Sequence, residues 1–513
     1  MKKIILNTLL VVLFASFFTS CKNNEPQNPN EYVNNWIYKN MTTYYLWSDK
    51  ITTKPDYTLP SDKFFTSLLN KYDKTANPDG DRFSWIQESY VDLLNMLGGV
   101  SSDEIGFEYV KVTVSQASAA VKQYYLLVLY PKLGTDAYAK GIKKGRFVTK
   151  IDGQDITDTN IKTLVGGTGT KTLTLADWAL DAQTNEYKLQ PAAATVTINM
   201  HKNFAETPVY KDSTYTVNGK TVGYLVYNFF ARDKGDGSFD YDKQLMTALA
   251  KIKSKGATEF VLDLRYNSGG AVSSAIALSS ALVPDRSVSN VLTITEFNAF
   301  LTSEYQKKYV NFNKDYFIDK IVDVKYDEKG NEISRKDVVD VPSLNLPRMY
   351  VLVSNWTASA SEMVINGLKP YMGDANVILI GKTTVGKNVG SFSIYEKNDP
   401  KNKWGMQPIV LKYYNRDKKS DFTTGFVPDY EIDEFKDLRL VDFGNTSDVL
   451  LNKALTLING GTPYKPAPAR VVRMSTKVPM RVVENSSSIL EQKAKVGLYD
   501  DIRGEAIRKM MKK

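Results

Sequence analysis

The sequence predicts a multidomain α/β protein with a helical N-terminal domain, a β-rich middle domain and a layered β/α core. Three different hydrophobic patterns follow one another along the 513 residues and predict this class. Apolar residues recur every three or four positions from 31 to 100, alternate with polar residues from 101 to 203, and form short runs between helical patterns from 204 to 460. The composition, 42% hydrophobic and 24% charged, excludes extensive disorder.

The first 20 residues have the pattern of a secretory signal peptide. Lys2 and Lys3 precede an apolar run over residues 4–18, which is too short for a membrane span. Cys21 stands where bacterial lipoproteins carry their acylated cysteine, and the segment resembles a lipobox. The resemblance implies export and a lipid anchor at Cys21 on a bacterial membrane, facing the periplasm or the cell surface. An incidental cysteine is the alternative. Residues 21–30 form a polar tether.

The helical domain is predicted from two amphipathic patterns, EYVNNWIYKNMTTYYLW and SDKFFTSLLNKY. A turn signal, NPDG, follows them. The next residues, DRFSWI (81–86), predict a short extended piece that enters another helix.

The middle domain is predicted from the alternating runs EIGFEYVKVTV, YYLLVLYP, RFVTKIDGQDI and ATVTINM. Together with a short helix and a glycine turn, their order resembles a PDZ domain, with an insertion over residues 160–191. A PDZ domain adds a peptide as an extra strand and binds its terminal carboxylate through backbone N–H groups. The alternative is that Gly106 only relieves crowding in a strand. By resemblance, the carboxylate-binding loop is Glu104, Ile105, Gly106 and Phe107.

The core is predicted from short apolar strands that alternate with helices. Strands are expected at TVGYLVYNFF, TEFVLDLRY, RMYVLVS and NVILIG. Helices are expected at YDKQLMTALAKIKSKG, AVSSAIALSSAL and LLNKALTLING, and another begins near Ser359.

The residue counts restrict the chemistry. The chain has one histidine, His201, and one cysteine, Cys21. A Ser-His-Asp triad, a Cys-His pair and most zinc sites are therefore excluded, and no metal or cofactor is expected. If the protein is a hydrolase, its general base is Lys, Asp or Glu; the alternative is a metal bound by carboxylates that activates water.

The formal charge of +9 lies at the two ends of the chain. From Gly461 onward there are 12 Lys and Arg against 5 acidic residues, and Lys2 and Lys3 supply the remainder. Residues 4–460 are therefore neutral, and nucleic-acid binding by the core is not expected. The extension, residues 461–513, is either a solvated basic tail or a contact for anionic lipid.

Two segments of the core combine small residues with a helix N-terminus. In LDLRYNSGGAV, Gly269 and Gly270 stand between a strand and a helix, where backbone N–H groups can bind an anion or an oxyanion, although such turns are common. In TASASE, Ser359 and Ser361 open a helix. The alternative for Ser359 is a capping box with Glu362.

A third segment, VILIGKTTVGKNVG, partly matches a phosphate-binding loop through Gly381, Gly386 and Lys387. The nucleotide interpretation fails because Asn388 replaces the required Ser or Thr and a strand pattern follows. What remains is Lys387 as a candidate base, whose pKa must fall by several units through burial. Lys382 is the rival base, in a position that favours exposure.

The order of the PDZ-like segment, LDLRYNSGG, TASASE and GKTTVGKNVG resembles the tail-specific, or C-terminal processing, serine proteases over about residues 30–460. The resemblance implies Ser359 as nucleophile and Lys387 as general base. It also implies an oxyanion hole formed by the N–H of Ala360 and of Gly269 or Gly270.

The sequence departs from that family at the third, orienting residue. Ser391 and Pro370 occupy positions where many members have a glutamine or an aspartate, and Lys382 replaces an acidic residue. The candidates for the orienting role are Glu362, Asp374 and Ser391.

The resulting prediction is a lipid-anchored serine endopeptidase that acts on unfolded or processed polypeptides and captures their C-termini with the PDZ-like domain. The alternative is a peptide-binding lipoprotein that retains the protease fold with weak or no catalysis. The sequence leaves the oligomeric state open.

Overall fold

The structure is a computed structural model that describes residues 29–114, 123–183, 186–464, 480–483 and 497–511. The predicted signal peptide, Cys21 and nearly all of the tether lie outside these residues.

The described helices match most of the predicted positions. Their bounds are α1 (Pro29–Tyr44), α2 (Ser61–Ser67), α3 (Tyr90–Leu97), α4 (Asp136–Ala139), α5 (Ile161–Val165), α6 (Asp240–Ser254), α7 (Val272–Leu282), α8 (Ala299–Gln306), α9 (Ala360–Met372), α10 (Val449–Ile458) and α11 (Gly504–Met511). Helix α2 covers only the first part of the pattern from which it was predicted. Among the described residues, no helix is both long and apolar enough to cross a bilayer.

The strands fall into the middle domain and the core. Those up to residue 205 are β1 (Trp85–Gln87), β2 (Val100–Glu104), β3 (Phe107–Val114), β4 (Gln123–Pro131), β5 (Phe147–Ile151), β6 (Gln154–Thr157), β7 (Thr170–Asp181), β8 (Glu186–Pro191), β9 (Val196–Asn199) and β10 (His201–Ala205). Those after it are β11 (Val209–Val217), β12 (Lys220–Tyr227), β13 (Glu259–Asp263), β14 (Val291–Phe297), β15 (Lys314–Tyr316), β16 (Lys320–Tyr326), β17 (Glu332–Asp340), β18 (Met349–Val353), β19 (Val377–Gly381), β20 (Val389–Ser391), β21 (Ile394–Tyr395), β22 (Gly405–Gln407), β23 (Ile409–Asn415), β24 (Tyr430–Glu431) and β25 (Met480–Val482).

The core is built on a six-stranded sheet in the order β11-β12-β13-β18-β19-β24, which is parallel from β12 onward. Successive side chains of a strand point to opposite faces, so a strand buried on both faces is apolar throughout. In β18, Met349, Val351 and Val353 pack in the cluster that contains α6, α7 and α9. Tyr350 and Leu352 pack in the cluster that contains α10. The layered α/β class is therefore confirmed.

A smaller antiparallel sheet, in the order β15-β14-β23-β20, lies beside the core sheet. Its strand β20 begins two residues after Lys387 and pairs with β23. The strand pattern expected after Lys387 is therefore present, in agreement with the rejection of a nucleotide-binding loop.

The middle domain is a sheet in the order β25-β3-β4-β6-β5-β7-β8, with β9 also paired to β7. The region expected to be an insertion forms α5 and the long β7–β8 hairpin. Strand β25 comes from the basic C-terminal extension and pairs with β3. No periodic pattern in that extension predicts this strand.

The N-terminal helices pack on the core, since Ile37 and Met41 of α1 belong to its main apolar cluster. The extended piece predicted at residues 81–86 forms a loop that continues into β1, and β1 pairs with β22. Arg82 in this loop donates to the Gly386 carbonyl, so the loop lies next to the one that follows β19.

Candidate active site

The three segments singled out in the core follow three neighbouring parallel strands. Strand β13 ends at Asp263, β18 at Val353 and β19 at Gly381, and these strands pair in that order. Because the carboxyl ends of parallel strands meet at one edge of a sheet, the loops that follow them converge there. The sequence motifs therefore form one site.

Ser359 stands immediately before α9 in an unusual backbone conformation, with φ 66° and ψ −112°. A residue other than glycine occupies this region only under strain, which functional sites often retain. The side chain is 1% exposed, and Oγ has no hydrogen-bond partner in the described part of the chain.

Gly269 allows the loop after β13 to pack against this serine. A Cβ atom on Gly269 would lie 2.7 Å from the Ser359 Cβ and 3.0 Å from the Ala360 nitrogen. Any larger residue would push the two loops apart, so glycine at position 269 is required by the close approach.

Glu362 connects the serine loop to the lysine loop. Its Oε2 accepts the backbone N–H of Ser359 at 2.7 Å and that of Lys387 at 2.8 Å. Its Oε1 accepts the N–H of Gly386 at 2.7 Å and the Thr384 hydroxyl at 2.5 Å. The backbone nitrogens of Ser359 and Lys387 therefore lie no more than about 5.5 Å apart, the sum of the two bond lengths.

In the predicted capping box at the start of α9, only one of the two expected hydrogen bonds forms. The carboxylate of Glu362 does reach back to the Ser359 N–H, as the pattern requires. The Ser359 side chain also faces the backbone N–H of Glu362, as a capping box requires, but no hydrogen bond forms there and Oγ has no partner among the described residues.

Lys387 is 1% exposed, and burial lowers its pKa from 10.5 to about 7. Removal of water disfavours the charged ammonium, and the cationic Arg82 acts in the same direction. Asp81 and Glu362 oppose the shift because they stabilise the ammonium. The outcome is an amine that is partly neutral near pH 7, as a general base requires.

The loop at residues 81–84 covers the lysine, a role that the sequence analysis did not assign to it. The Phe83 ring centroid lies 4.8 Å from Lys387 Nζ. Arg82 donates to the carbonyl groups of Gly386 and Thr423 at 2.9 and 2.8 Å. The sequence shows apolar and aromatic residues next to a turn signal. It does not show that they cover Lys387, which is distant in the chain.

The backbone N–H groups predicted to form an oxyanion hole differ in their hydrogen bonds. The Gly269 N–H donates to Asn267 Oδ1 at 2.8 Å. In the described residues, neither the Gly270 N–H nor the Ala360 N–H is bonded to a protein acceptor. The pair available to a developing negative charge is therefore Gly270 and Ala360.

The remaining candidate residues are either outside this site or bonded to other groups. Asp374 is exposed in a short turn after α9. Ser391 is buried in β20 and its hydroxyl donates to the Leu498 carbonyl. Lys382 pairs with Asp433 at 2.9 Å, which agrees with its expected exposure. His201 accepts a backbone N–H in the middle domain, remote in sequence from the three motifs.

The loop expected to bind a peptide carboxylate is buried and already bonded. The Gly106 N–H donates to Glu104 Oε1 at 2.8 Å, and the other oxygen of Glu104 binds Lys132 at 2.6 Å. Ile105 and Phe107 are core residues. The Glu104 carboxylate thus accepts the Gly106 N–H, which was predicted to bind the terminal carboxylate of a peptide.

Comparisons with known proteins agree with this geometry. The model of peptidase family S41 matches residues 221–432, and that of the peptidase S41 N-terminal domain matches residues 32–85. Together these ranges span slightly more than half of the chain. The first contains the three motif loops, and the second contains the whole loop that covers Lys387.

Two curated relatives are proteases. The carboxyl-terminal-processing protease of Picosynechococcus sp. is 22% identical over 417 residues, which are 80% of this chain and 85% of that protein. The carboxy-terminal processing protease CtpA of Bacillus subtilis is 25% identical over 276 residues, 53% of this chain. That match spans only 46% of the Bacillus protein.

A solved structure shares the fold along most of its length. It is a Bacteroides fragilis protein assigned to the S41 proteases, with 27% identity and a TM-score of 0.65. The match covers 83% of this chain and 97% of the other. Two family models in their expected order, relatives among the processing proteases and this shared fold lead to one conclusion: the chain belongs to peptidase family S41, the family of the C-terminal processing proteases.

Proposed function

We propose that the protein is a serine endopeptidase that cleaves unfolded or processed polypeptides with a Ser359–Lys387 dyad. Neutral Lys387 takes the proton from the Ser359 hydroxyl as Oγ attacks the scissile carbonyl carbon. The N–H groups of Gly270 and Ala360 stabilise the tetrahedral oxyanion. Collapse breaks the C–N bond, and the Lys387 ammonium returns the proton to the leaving amine.

The second half of the reaction regenerates the enzyme. Lys387 accepts a proton from water, which attacks the acyl ester on Ser359. Collapse of the second tetrahedral intermediate releases the new carboxyl terminus, and Lys387 returns the proton to Oγ. All atoms come from the peptide, the enzyme and one water molecule, so the reaction uses no cofactor.

One observation carries the proposal: a single buried carboxylate, Glu362, binds the backbone of both Ser359 and Lys387. It holds the backbone of a serine whose hydroxyl is unengaged within about 5.5 Å of the backbone of a lysine whose buried amine has a pKa of about 7. We assign Glu362 the positioning role, rather than Asp374 or Ser391, because it alone of the three bonds to both loops in the described residues.

The test is turnover of denatured casein together with labelling by a serine-reactive phosphonate. We expect the parent protein to cleave casein and to be labelled at Ser359, and Ser359→Ala to lose both. Ser361→Ala is the matched control, since Ser361 bonds to the Asn267 carbonyl instead. Equal cleavage by Ser359→Ala would refute the dyad. Binding of casein without cleavage or labelling would favour a peptide-binding protein.

We also propose that the protein is exported and lipid-anchored at Cys21, on the evidence of its first 21 residues. Incorporation of a radioactive fatty acid, lost in Cys21→Ala, tests this. The edge of β3 that β25 covers in this structure is proposed as the place where a polypeptide adds to the middle domain, because it already accepts an extended strand.

A further inference from the structure

The basic C-terminal extension returns to the body of the protein at two places. The first is β25, which pairs antiparallel with β3, with Val482 opposite Val112. The Val483 N–H continues the ladder to the Lys111 carbonyl at 2.9 Å. In the strand order of this sheet β25 precedes β3, so β3 would be the edge strand without it. The extension thus occupies the edge at which an extended peptide would add.

The second place is the active-site edge of the core, where residues 497–501, here called the cleft segment, lie. On one side, the Tyr499 N–H donates to the Gly270 carbonyl at 3.1 Å, and the Tyr499 carbonyl accepts the Val272 N–H at 3.1 Å. On the other side, the Leu498 carbonyl accepts the Ser391 N–H at 3.1 Å. The Asp500 N–H returns a bond of 3.0 Å to the Ser391 carbonyl.

The cleft segment therefore lies as a strand between the oxyanion loop and the strand that follows the catalytic lysine. All four of these bonds join backbone groups, which any polypeptide can supply. Recognition of this kind suits a protease that acts on many unfolded sequences. The buried Leu498 side chain, which lies over Gly390, indicates a preference for an aliphatic residue at this subsite.

The cleft segment also contacts the catalytic base directly. A Cβ atom on Gly497 would lie 2.0 Å from Lys387 Nζ and 2.7 Å from its Cε. Only glycine fits there while the segment is docked. Two residues past Tyr499, the Asp501 carboxylate binds the Ser273 N–H at 3.0 Å and its hydroxyl at 2.5 Å, which anchors the segment to the start of α7.

We propose that the C-terminal extension is an intramolecular ligand of this protease, which occupies both the β3 edge and the catalytic cleft until a polypeptide substrate displaces it. This inference rests on the proposed function and deepens it. Its substrate class is an extended polypeptide that can pair with both sides of the cleft. The extension is then an inhibitor that competes with that substrate, and not a passive basic tail.

The first experiment uses full-length variants that weaken docking of the cleft segment without changing the catalytic residues. Gly497→Ala introduces the clash with Lys387, and Asp501→Ala removes the anchor on Ser273. We expect each to raise kcat/KM for denatured casein about fivefold or more. Glu505→Ala, whose exposed carboxylate pairs with Lys509 in its own helix, is the control and stays at the parent value. Unchanged or lower activity in both Gly497→Ala and Asp501→Ala would overturn the inference.

The second experiment observes displacement itself in the Ser359→Ala protein, which cannot cleave. Amide hydrogen exchange is followed in peptides that contain residues 480–483 and 497–501, with and without denatured casein. We expect both to be protected alone and to lose protection when casein binds. Protection that persists with casein bound would show a structural brace and contradict the inference.

The two experiments separate the inference from the proposed function. If parent and variants all fail to cleave casein and to react with the phosphonate, the proposed function fails. If the parent cleaves casein but the cleft segment stays protected, only the inference fails.

Discussion

At the scale of single residues, the site depends on one lysine held in an environment that its charged form disfavours. The Lys387 amine is buried beside the Phe83 ring, and this burial lowers its pKa to about 7. This residue therefore determines both how activity varies with pH and how stability does.

The pH dependence of activity follows directly. Below about pH 7 the Lys387 amine is protonated and cannot accept the Ser359 proton, so kcat/KM is expected to rise with pH and to reach half its plateau near pH 7. Initial rates on a fluorescent casein between pH 5 and 10 measure this. Lys382→Met should leave the profile unchanged. A rate that still rises tenfold per pH unit up to pH 10 would contradict the assignment.

The same shift affects stability. The folded pKa, about 7, lies below the value of 10.5 expected for the unfolded chain, so between these values the unfolded state binds more protons. This lysine therefore makes the free energy of unfolding rise with pH in that window, by up to about 1.4 kcal/mol per unit. Lys387→Met is expected to be inactive and more stable at pH 7. In urea unfolding between pH 6 and 9, the free energy of unfolding of Lys387→Met should depend less on pH than that of the parent protein.

At the scale of elements, three strand-to-loop junctions are held together by the first turn of α9. Glu362 lies in that turn and accepts four hydrogen bonds from two loops. Burial raises its pKa, whereas the donors favour the carboxylate that they surround. Its removal should therefore disorder the geometry of the site as well as weaken the fold.

Glu362→Gln tests this positioning role. The amide brings an N–H₂ group against N–H donors, so we expect kcat to fall about a hundredfold and stability to fall by roughly 1–3 kcal/mol. Asp374→Asn, at the far end of the same helix, is the matched control. Casein kinetics and thermal unfolding are the measurements. A loss of stability with normal kcat would show that the residue is structural only.

Ser359 and Lys387 could be predicted as candidates because their motifs, TASASE and GKTTVGKNVG, resemble those of a known family. The fold then brings the loops that carry them to one edge of the parallel sheet. The sequence could not separate Gly269 from Gly270, since that choice depends on where the Asn267 side chain points. It identified Glu362 as a cap partner, but only the fold brings Gly386 to the same carboxylate. The docking of residues 480–483 and 497–501 could not be predicted from the sequence, because short segments with distant partners have no periodic pattern.

At the scale of the whole molecule, the site draws on segments from almost the full length of the chain. The loop at 81–84 covers Lys387, the core supplies both residues of the proposed dyad, and the cleft segment comes from the C-terminal extension. A buried cluster around Arg265, which includes Lys144 of the middle domain, joins that domain to the strand before the oxyanion loop. Substitutions in this cluster on the side of the middle domain are therefore expected to alter the geometry of the site.

Phe83→Ala tests the contribution of the N-terminal domain. Loss of the ring admits water to the Lys387 amine, so its pKa should rise toward 10.5 and the midpoint of the pH–activity profile should move to higher pH. Trp85→Ala, which packs instead against Leu93 and Leu97, is the control for general destabilisation. A midpoint equal to that of the parent would show that Phe83 does not shield the base.

The cleft segment has a consequence for how the enzyme meets its substrates. Because it belongs to the same chain, it competes at an effective concentration on the order of millimolar, however dilute the protein is. A free polypeptide at micromolar concentration then competes poorly, whereas one that makes many contacts, or is held on the same membrane, competes well. The covalent connection of the extension to the body thus sets a concentration threshold that favours substrates accumulated at the site of the enzyme.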